Sequence, residues 1–488
     1  MKNIVRWIDA LAPLLRSTLW HGSVTPTGYG LAVPADKRRA LAVGWLALAL
    51  GSLIGAGVFS VLLVLARTPL LQELFPTADF FRVALVVHVD LSVLVWFLAL
   101  GGVLWTINST ARLAALGWSA LALGTAGTVL MSIAPFVGKG APIMSNYVPV
   151  LDDPWFLGGL VVFAGGFALL TLRSLAAVPA VGIRPDGAAA LRFGLNAAAV
   201  SAAVALIALA WSYAAMPADI PRKAYFEVLF WGGGHVIQFT FTLFMLVAWL
   251  WLASESGARV PLTPRVTLLM FSIALAAVFV TPVIYLAYSV TSIEHRRVLT
   301  WLMEFGGGLA ILPLALAVGV GVARGGTTRA EQRPLRAALL ASMVLFGVGG
   351  GIGFMIEGSN VRIPAHYHGC IVGVTLALMG LVYLLLPRLG FAAPHPRVAT
   401  WQCYLYGAGQ LLHVGGLVWS GGYGVQRKVA GGEQVLRSAG EIAGMGLMGL
   451  GGLIAVVGGL LFVVVVLRSM LARGPGATHG AGSESHRP

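Results

Sequence analysis

The chain has 488 residues, of which 58% are hydrophobic and only 10% are charged. A soluble domain carries about a quarter charged residues, so this composition excludes an ordinary soluble protein and indicates a membrane protein. The formal net charge of +14 is explained by Lys and Arg in the cytoplasmic loops of a polytopic protein, and no nucleic-acid partner is expected. Cys370 and Cys403 lie in separate apolar stretches, which argues against a disulfide framework or a CxxC metal site.

Twelve stretches are apolar over about 20 residues, the length needed to cross a lipid bilayer. The sequence therefore predicts an all-α polytopic membrane protein, with twelve transmembrane helices in residues 40–468, a cytoplasmic segment at 1–39 and a disordered tail at 469–488. Lys and Arg concentrate in the termini and in the loops on their side, which favours a bacterial-type inner membrane with both termini cytoplasmic. The predicted spans are 40–66, 83–107, 113–134, 155–177, 190–216, 225–253, 266–290, 298–322, 337–357, 363–387, 399–424 and 442–467.

Four histidines fall at one depth, in the outer half of the predicted bundle: His88, His235, His366 and His368. His366 and His368 are two residues apart, and at 3.6 residues per turn such a pair points about 200° apart. Each imidazole can therefore serve a different neighbour. A single intramembrane histidine is often a structural hydrogen-bonding group. Four at one depth on three helices indicate haem, a nonhaem metal, or both.

The sequence around these histidines matches motifs of a known family. Pro-Ala-His366-Tyr-His368-Gly opens an apolar run that ends in Leu-Leu-Leu-Pro, Trp231-Gly-Gly-Gly-His235 lies four spans earlier, and His88 precedes an apolar run. In this order the stretches resemble the tenth, sixth and second helices of subunit I of the haem-copper oxidase superfamily, which includes the nitric oxide reductases. The first is most similar to the B-type oxidases. The resemblance covers residues 40–468 and implies a twelve-helix, haem-copper oxidase subunit I-like bundle.

The resemblance implies a role for each matched residue and two haems, expected to be of the b type. His88 and His368 would be the axial ligands of a low-spin haem, and His366 the proximal ligand of a high-spin haem with an open distal face. His235 would ligate a nonhaem metal, copper or iron, facing that open side. Arg427 and Lys428 would pair with haem propionates, although Lys428 replaces the family's second Arg and lacks its bidentate geometry.

The match breaks where the family supplies two adjacent histidines near the end of its seventh helix. Leu286 and Ala287 occupy that place, and Glu294 and His295 follow one to two turns later. One hypothesis is that helix seven extends and places Glu294 and His295 as substitute metal ligands. A carboxylate and an imidazole suit iron better than cuprous copper. Alternatively the second metal is held weakly or lost, and these residues lie in a solvated outer loop.

A second departure concerns a tyrosine. The A- and B-type oxidases carry one four residues after the first metal ligand, and Phe239 stands there in this chain. Tyr285 or Tyr288 could replace it, as in the C-type oxidases, and we select Tyr288. Reduction of nitric oxide needs no such tyrosine, so the departures favour a nitric oxide reductase-like member without excluding an oxidase. Glu304, in the eighth span, is a candidate proton relay.

These observations predict the catalytic subunit I of a terminal respiratory reductase that reduces nitric oxide or dioxygen. The chain contains no CxxCH motif, so electrons would come from a small cytochrome c or copper subunit, or from quinol, and lipid surrounds the bundle. The alternative is a noncatalytic dihaem membrane protein that transfers electrons or senses a gas. A transporter would explain twelve spans but not two histidines on opposite faces of one helix.

Overall fold

The computed structural model describes residues 28–71, 78–430 and 433–472. It is 76% helical, which confirms the all-α membrane bundle. A two-residue hairpin, β1 (Pro142–Ile143) paired antiparallel with β2 (Val150–Leu151), follows the fourth helix. The α-helices are α1 Lys37–Leu65, α2 Ala78–Val89, α3 Trp96–Ile107, α4 Ala114–Val137, α5 Pro154–Ala176, α6 Gly187–Ala214, α7 Arg222–Glu255, α8 Pro264–Val278, α9 Val280–Ala287, α10 Ile293–Gly306, α11 Gly308–Ala323, α12 Arg333–Gly353, α13 Arg362–Arg388, α14 Pro396–Gly422 and α15 Ala439–Leu471.

Three of the predicted spans are built from more than one helix. A π-helical turn, Asp90–Val95, joins α2 to α3, while α8 continues into α9 and α10 into α11. Within the described residues, eleven helical segments are long and apolar enough to cross a membrane. The eleventh predicted span, 399–424, corresponds to α14, which has the length but is less apolar.

Polar side chains in α14 are hydrogen-bonded inside the bundle. Gln402 accepts a hydrogen bond from the Tyr383 hydroxyl at 2.9 Å and donates to the Gly458 carbonyl oxygen at 3.2 Å. Such contacts between helices remove the cost of placing an amide in hydrocarbon. The lower hydropathy of α14 is therefore compatible with a position among α12, α13 and α15.

The helices that carry the candidate histidines are the most enclosed. In the most apolar part of each span, 89% of the residues are buried in α13 and 83% in α7. In the span formed by α10 and α11, only 28% are buried. A helix that is apolar on all sides belongs in the interior of a large bundle. α13 and α7 therefore form the centre, and α8 to α11 present much of their surface outward.

Loops tie one end of the bundle together, which is the end where the candidate histidines lie. Nζ of Lys428 donates to the Met144 carbonyl oxygen at 2.6 Å, and Nη2 of Arg67 donates to the Gln426 carbonyl oxygen at 3.3 Å. These contacts join the α4–α5 loop, the end of α1 and the α14–α15 loop. At the chain ends, α15 extends to Leu471, past the predicted start of the tail, while 1–27 and 473–488 lie outside the described residues.

Candidate functional site

His366 and His368 lie in the first turns of α13, and their side chains reach different neighbours. His366 donates its Nδ1–H to the carbonyl oxygen of Gly349 on α12, at 2.7 Å. His368 packs edge-to-face on His413 of α14, with the ring centroids 4.8 Å apart. A carbonyl can only accept, so Nδ1 of His366 carries the proton and Nε2 carries the lone pair.

Small residues allow α12 to approach α13 closely enough to orient His366. The backbone of Gly369 and Cys370 occupies the space that a side chain on Gly349 would need. Close contact through small residues is the usual way in which membrane helices associate. It brings the Gly349 carbonyl within hydrogen-bonding distance of the imidazole.

His88 lies near the end of α2, just before the π-helical turn. Its Nδ1–H donates to the carbonyl oxygen of Ala56 on α1 at 2.9 Å, so Nε2 again carries the lone pair. Two residues later Asp90 opens the π-helical turn, with 1% of its surface exposed. Among the described residues, neither carboxylate oxygen of Asp90 has a hydrogen-bond partner. No sequence motif pointed to Asp90, although π-helical turns often mark functional positions.

His235, in the first half of α7, is fixed by both of its ring nitrogens. Nδ1–H donates to the Trp231 carbonyl oxygen at 2.7 Å, and Nε2 is 2.8 Å from the hydroxyl of Tyr147. Burial raises the pKa of Tyr147, so its hydroxyl stays protonated and can donate to Nε2. Oγ1 of Thr300, on α10, lies 3.4 Å from the same nitrogen.

The structure shows neither an extension of the seventh span to Glu294 and His295 nor a solvated loop at these residues. Weak binding or loss of the second metal stays a prediction. α9 ends at Ala287, and the two residues lie in the first turn of α10, which Ser292 caps. Glu294 is exposed, whereas His295 is completely buried and meets the ring of Tyr285 edge-on, with centroids 4.7 Å apart. Within the described chain, neither ring nitrogen of His295 has a hydrogen-bond partner.

The two candidate tyrosines of the seventh span occupy different environments. Tyr285 is buried, and its hydroxyl donates to the Ala208 carbonyl oxygen at 3.0 Å and lies 2.7 Å from the Ser212 hydroxyl. Its ring also fills the space beside Gly232 on α7. Tyr288, the residue selected from the sequence, ends α9 and is 39% exposed.

Glu304 lies on the exposed side of α10, beside an open groove of about 400 Å³. Trp231, Arg296 and Thr300 also line this groove. Thr300 is at once a wall of the groove and a neighbour of the His235 imidazole, so it lies between the groove and His235.

The two basic residues after α14 make different contacts. Nε of Arg427 is 3.4 Å from the Ser359 hydroxyl, whereas Nζ of Lys428 donates to the Met144 carbonyl oxygen at 2.6 Å and is 3.3 Å from Oδ1 of Asn146. Burial lowers the pKa of Lys428 to about 8, and the charge of Arg427 adds to this effect. Lys428 therefore holds the α4–α5 loop.

Arg67, just past the end of α1, is a further cation at this end of the bundle, and no sequence motif pointed to it. It donates to Oε1 of Gln434 at 3.2 Å and to the Gln426 carbonyl oxygen at 3.3 Å, both neutral acceptors. Burial lowers the pKa of Arg67 to about 10, and the nearby Tyr367 opposes this effect. A partly buried cation with neutral partners favours an anionic ligand.

Comparison with known proteins identifies the family. The family described as cytochrome c and quinol oxidase polypeptide I matches residues 40–473. The chain belongs to this family, the subunit I family of the haem-copper oxidases. An uncharacterized protein of Rickettsia prowazekii (strain Madrid E) is 28% identical over 505 residues, which cover 89% of this chain and 97% of that protein. An uncharacterized protein of Aquifex aeolicus (strain VF5) is 28% identical over 355 residues, which cover 71% and 85%.

The fold is that of a haem-copper oxidase. A solved haem-copper terminal oxidase dimer superposes with a TM-score of 0.69 at 14% sequence identity, over 90% of this chain and 85% of that chain. Membership in the subunit I family makes the chain a multi-pass membrane protein of an oxidoreductase type, and it implies haems together with a copper or other metal site.

The residues present fit the haems that the haem-copper oxidase family implies. His88 and His366 each donate Nδ1–H to a backbone carbonyl, the contact that typically orients a metal-binding histidine. His88 and His368 are each partly exposed, as an imidazole that binds a flat cofactor must be.

The residues present do not fit a nonhaem metal at His235. Its Nε2 lone pair faces the Tyr147 hydroxyl, Glu294 is exposed, and His295 packs on Tyr285. In residues 28–71, 78–430 and 433–472, no three His, Cys, Asp or Glu side chains converge as a metal-binding group. A metal centre normally needs three or four protein ligands.

Proposed function

We propose that this protein is the catalytic subunit I of a membrane terminal reductase, in which electrons pass from a low-spin haem to a high-spin haem that binds nitric oxide or dioxygen. One observation carries the proposal: two imidazoles leave α13 in different directions, with His366 turned to α12 and His368 to α14. A helix between two haems needs this arrangement, whereas a structural histidine does not.

Each histidine has a defined task in this proposal. His88 and His368 would hold the low-spin haem from two sides, and His366 would hold the high-spin haem from one side. The haems supply electron transfer and the binding and reduction of the gas. The Ala56 and Gly349 carbonyls keep Nδ1 of His88 and His366 protonated, so that Nε2 is the ligating nitrogen.

The cations at the same end would meet the haem propionates. Arg67 and Arg427 lie beside the segment that leads into α13, because Arg67 donates to the Gln426 carbonyl oxygen and Gln426 pairs with Asn360. A guanidinium can donate two parallel hydrogen bonds to a carboxylate. Lys428 was selected for this role from the sequence, and its bond to the Met144 carbonyl makes it the weaker candidate.

Substrate protons would reach the site through the groove beside α10. Glu304 and Thr300 line the groove, and Thr300 reaches His235. Tyr147 places a hydroxyl against His235 that Phe239 cannot supply, so dioxygen remains a substrate of the proposal beside nitric oxide. Tyr288 keeps only its sequence-based assignment.

The proposed setting is a bacterial-type inner membrane with both termini in the cytoplasm. Electrons would arrive from a separate cytochrome c or copper subunit or from quinol. Most Lys and Arg residues lie in the termini and in the loops on their side, which supports this orientation.

Haem spectroscopy of the purified protein tests the proposal. We expect one low-spin and one high-spin haem, with carbon monoxide binding only the latter, and turnover with nitric oxide or dioxygen. His88→Ala should remove the low-spin signal and leave the high-spin spectrum recognisable. His395→Ala, at an exposed position before α14, is the matched control and should change neither. A preparation without high-spin haem would contradict the proposal.

A second candidate is a noncatalytic dihaem protein that transfers electrons or senses a gas. The absence of converging nonhaem metal ligands within the described residues favours it. Two haems with reversible gas binding and no turnover of either gas would support this candidate over the first.

A further inference from the structure

We propose that the pocket at His235 is a tyrosine–histidine hydrogen-bonding site in which Tyr147 takes the position of the nonhaem metal. The inference rests on the proposed function, because it describes the distal side of the same two-haem centre. It adds a residue, Tyr147, that no family motif in this chain identifies.

The protonation of the imidazole follows from its contacts. The Trp231 carbonyl oxygen, 2.7 Å from Nδ1 of His235, can only accept, so the ring proton is on Nδ1. Nε2 therefore has its lone pair directed into the pocket, and at 2.8 Å the Tyr147 hydroxyl is its donor. The lone pair that would bind a metal is used in this hydrogen bond.

The position of Tyr147 is built into the sequence of α7. Its ring lies against Gly234, and a Cβ there would overlap Cβ and Cγ of the tyrosine. The ring is also edge-on to Trp231, with centroids 5.8 Å apart, and 4.7 Å from the His235 ring centroid. The Trp-Gly-Gly-Gly-His stretch thus forms a seat for an aromatic ring beside the imidazole.

Two sets of contacts hold the loop that carries Tyr147, one at Asn146 and one at Met144. Asn146, the preceding residue, donates through its backbone and side-chain N–H groups to the carboxylate of Glu227. Lys428 holds the same loop by donating to the Met144 carbonyl oxygen. A tyrosine fixed by contacts at its neighbours loses little further freedom when it binds His235, which favours the observed pair.

The other candidate metal ligands meet different partners. Tyr285 fills the space beside Gly232 and covers His295, while Glu294 is exposed. Two glycines of α7 thus receive two tyrosine side chains, one from the α4–α5 loop and one from α9. The His235 imidazole therefore has the Tyr147 hydroxyl beside it, where the family would place a metal.

Metal analysis and tyrosine vibrational spectroscopy of the full chain test this inference together. Wild type, His235→Ala, Tyr147→Phe and Tyr285→Phe are purified in lipid nanodiscs from cells grown with copper and iron. Copper and nonhaem iron should stay far below one atom per chain in all four. Ultraviolet resonance Raman difference spectra against Tyr147→Phe isolate the Tyr147 band, which should shift in His235→Ala because the hydroxyl loses its acceptor. The Tyr285 band should not shift in His235→Ala.

Two results would overturn the inference. One is a stoichiometric nonhaem metal in the wild type that is lost in His235→Ala. The other is a Tyr147 band that is the same with and without His235. Neither readout depends on turnover or haem occupancy, so failure of the proposed function, seen as missing haem signals, is distinguishable. His235→Leu, which keeps side-chain bulk and offers no acceptor to Tyr147, replaces His235→Ala if the latter does not fold.

Discussion

Gly234→Ala is the substitution that most directly tests the contact between α7 and the α4–α5 loop. The added Cβ would overlap Cβ and Cγ of Tyr147. Cβ is fixed by the backbone of Tyr147, so a rotamer change can move Cγ but cannot remove the overlap with Cβ. The loop itself would have to shift, and the hydrogen bond to His235 would lengthen or break.

The expected loss follows from three contributions. Replacing glycine by alanine inside a helix stabilises by about 1 kcal/mol. Overpacking costs about 1–3 kcal/mol, and loss of the hydrogen bond between Tyr147 and His235 costs about 1 kcal/mol. The net destabilisation is therefore about 1–3 kcal/mol, which thermal unfolding in nanodiscs can resolve.

A control and a second substitution make the prediction specific. Gly351→Ala, in α12, adds a Cβ that meets no described atom within 4 Å, so it should not destabilise. Tyr147→Gly, which removes both Cβ and Cγ, should relieve the overlap, and the double variant should be more stable than the sum of the single effects by about 1 kcal/mol or more. If Gly234→Ala is as stable as Gly351→Ala, or the two effects simply add, the contact is not as described.

Two further predictions concern charges at the end of the bundle that holds the candidate histidines. Arg67→Met should lower the midpoint potential of the nearer haem by roughly 60 mV, a factor of about ten for one electron, because a nearby cation favours the reduced state. Spectroelectrochemistry measures the potential, and Arg112→Met, at an exposed position, is the control. An unchanged potential in Arg67→Met would contradict the prediction. Lys428 has its pKa lowered from 10.5 to about 8, so the unfolded chain binds more protons between these values. The stability that Lys428 contributes therefore rises with pH across this window and is lost as pH falls towards 8. The unfolding temperature of Lys428→Met, measured over the same pH range, should lack this rise. Parallel pH profiles for the wild type and Lys428→Met would refute the prediction.

The sequence was sufficient for the bundle because long apolar runs have few alternatives in a membrane. It did not predict the breaks after Val278 and Gly306 or the π-helical turn at Asp90, which depend on packing between helices. The eleventh span illustrates the opposite case: Gln402 lowers its hydropathy, yet tertiary hydrogen bonds satisfy the amide.

Histidines on helices were easier to anticipate than their partners. His366 and His368 could be assigned to different directions from helical geometry alone. Tyr147 gives no local signal, because it lies in a loop far from His235 along the chain; the three consecutive glycines before His235 were the available hint. One of the two sequence interpretations placed His295 in a solvated charge run and the other made it a metal ligand. Neither anticipates that Ser292 is a helix cap and that helical periodicity turns His295 inward while Glu294 and Arg296 face out.

The hydrogen bonds between loops at the candidate site join residues that are synthesised at very different times. Tyr147 meets a residue 88 positions later, and Met144 meets Lys428 only 284 positions later. At about 5–20 residues per second, the α4–α5 loop waits roughly 15–60 seconds after its own synthesis for this last contact. During that interval the α4–α5 loop lacks its contact with Lys428. Both proposed haem ligands on α13, His366 and His368, are synthesised before Lys428. The order of translation therefore leaves a period in which a bulky cofactor can enter before the loop closes over it.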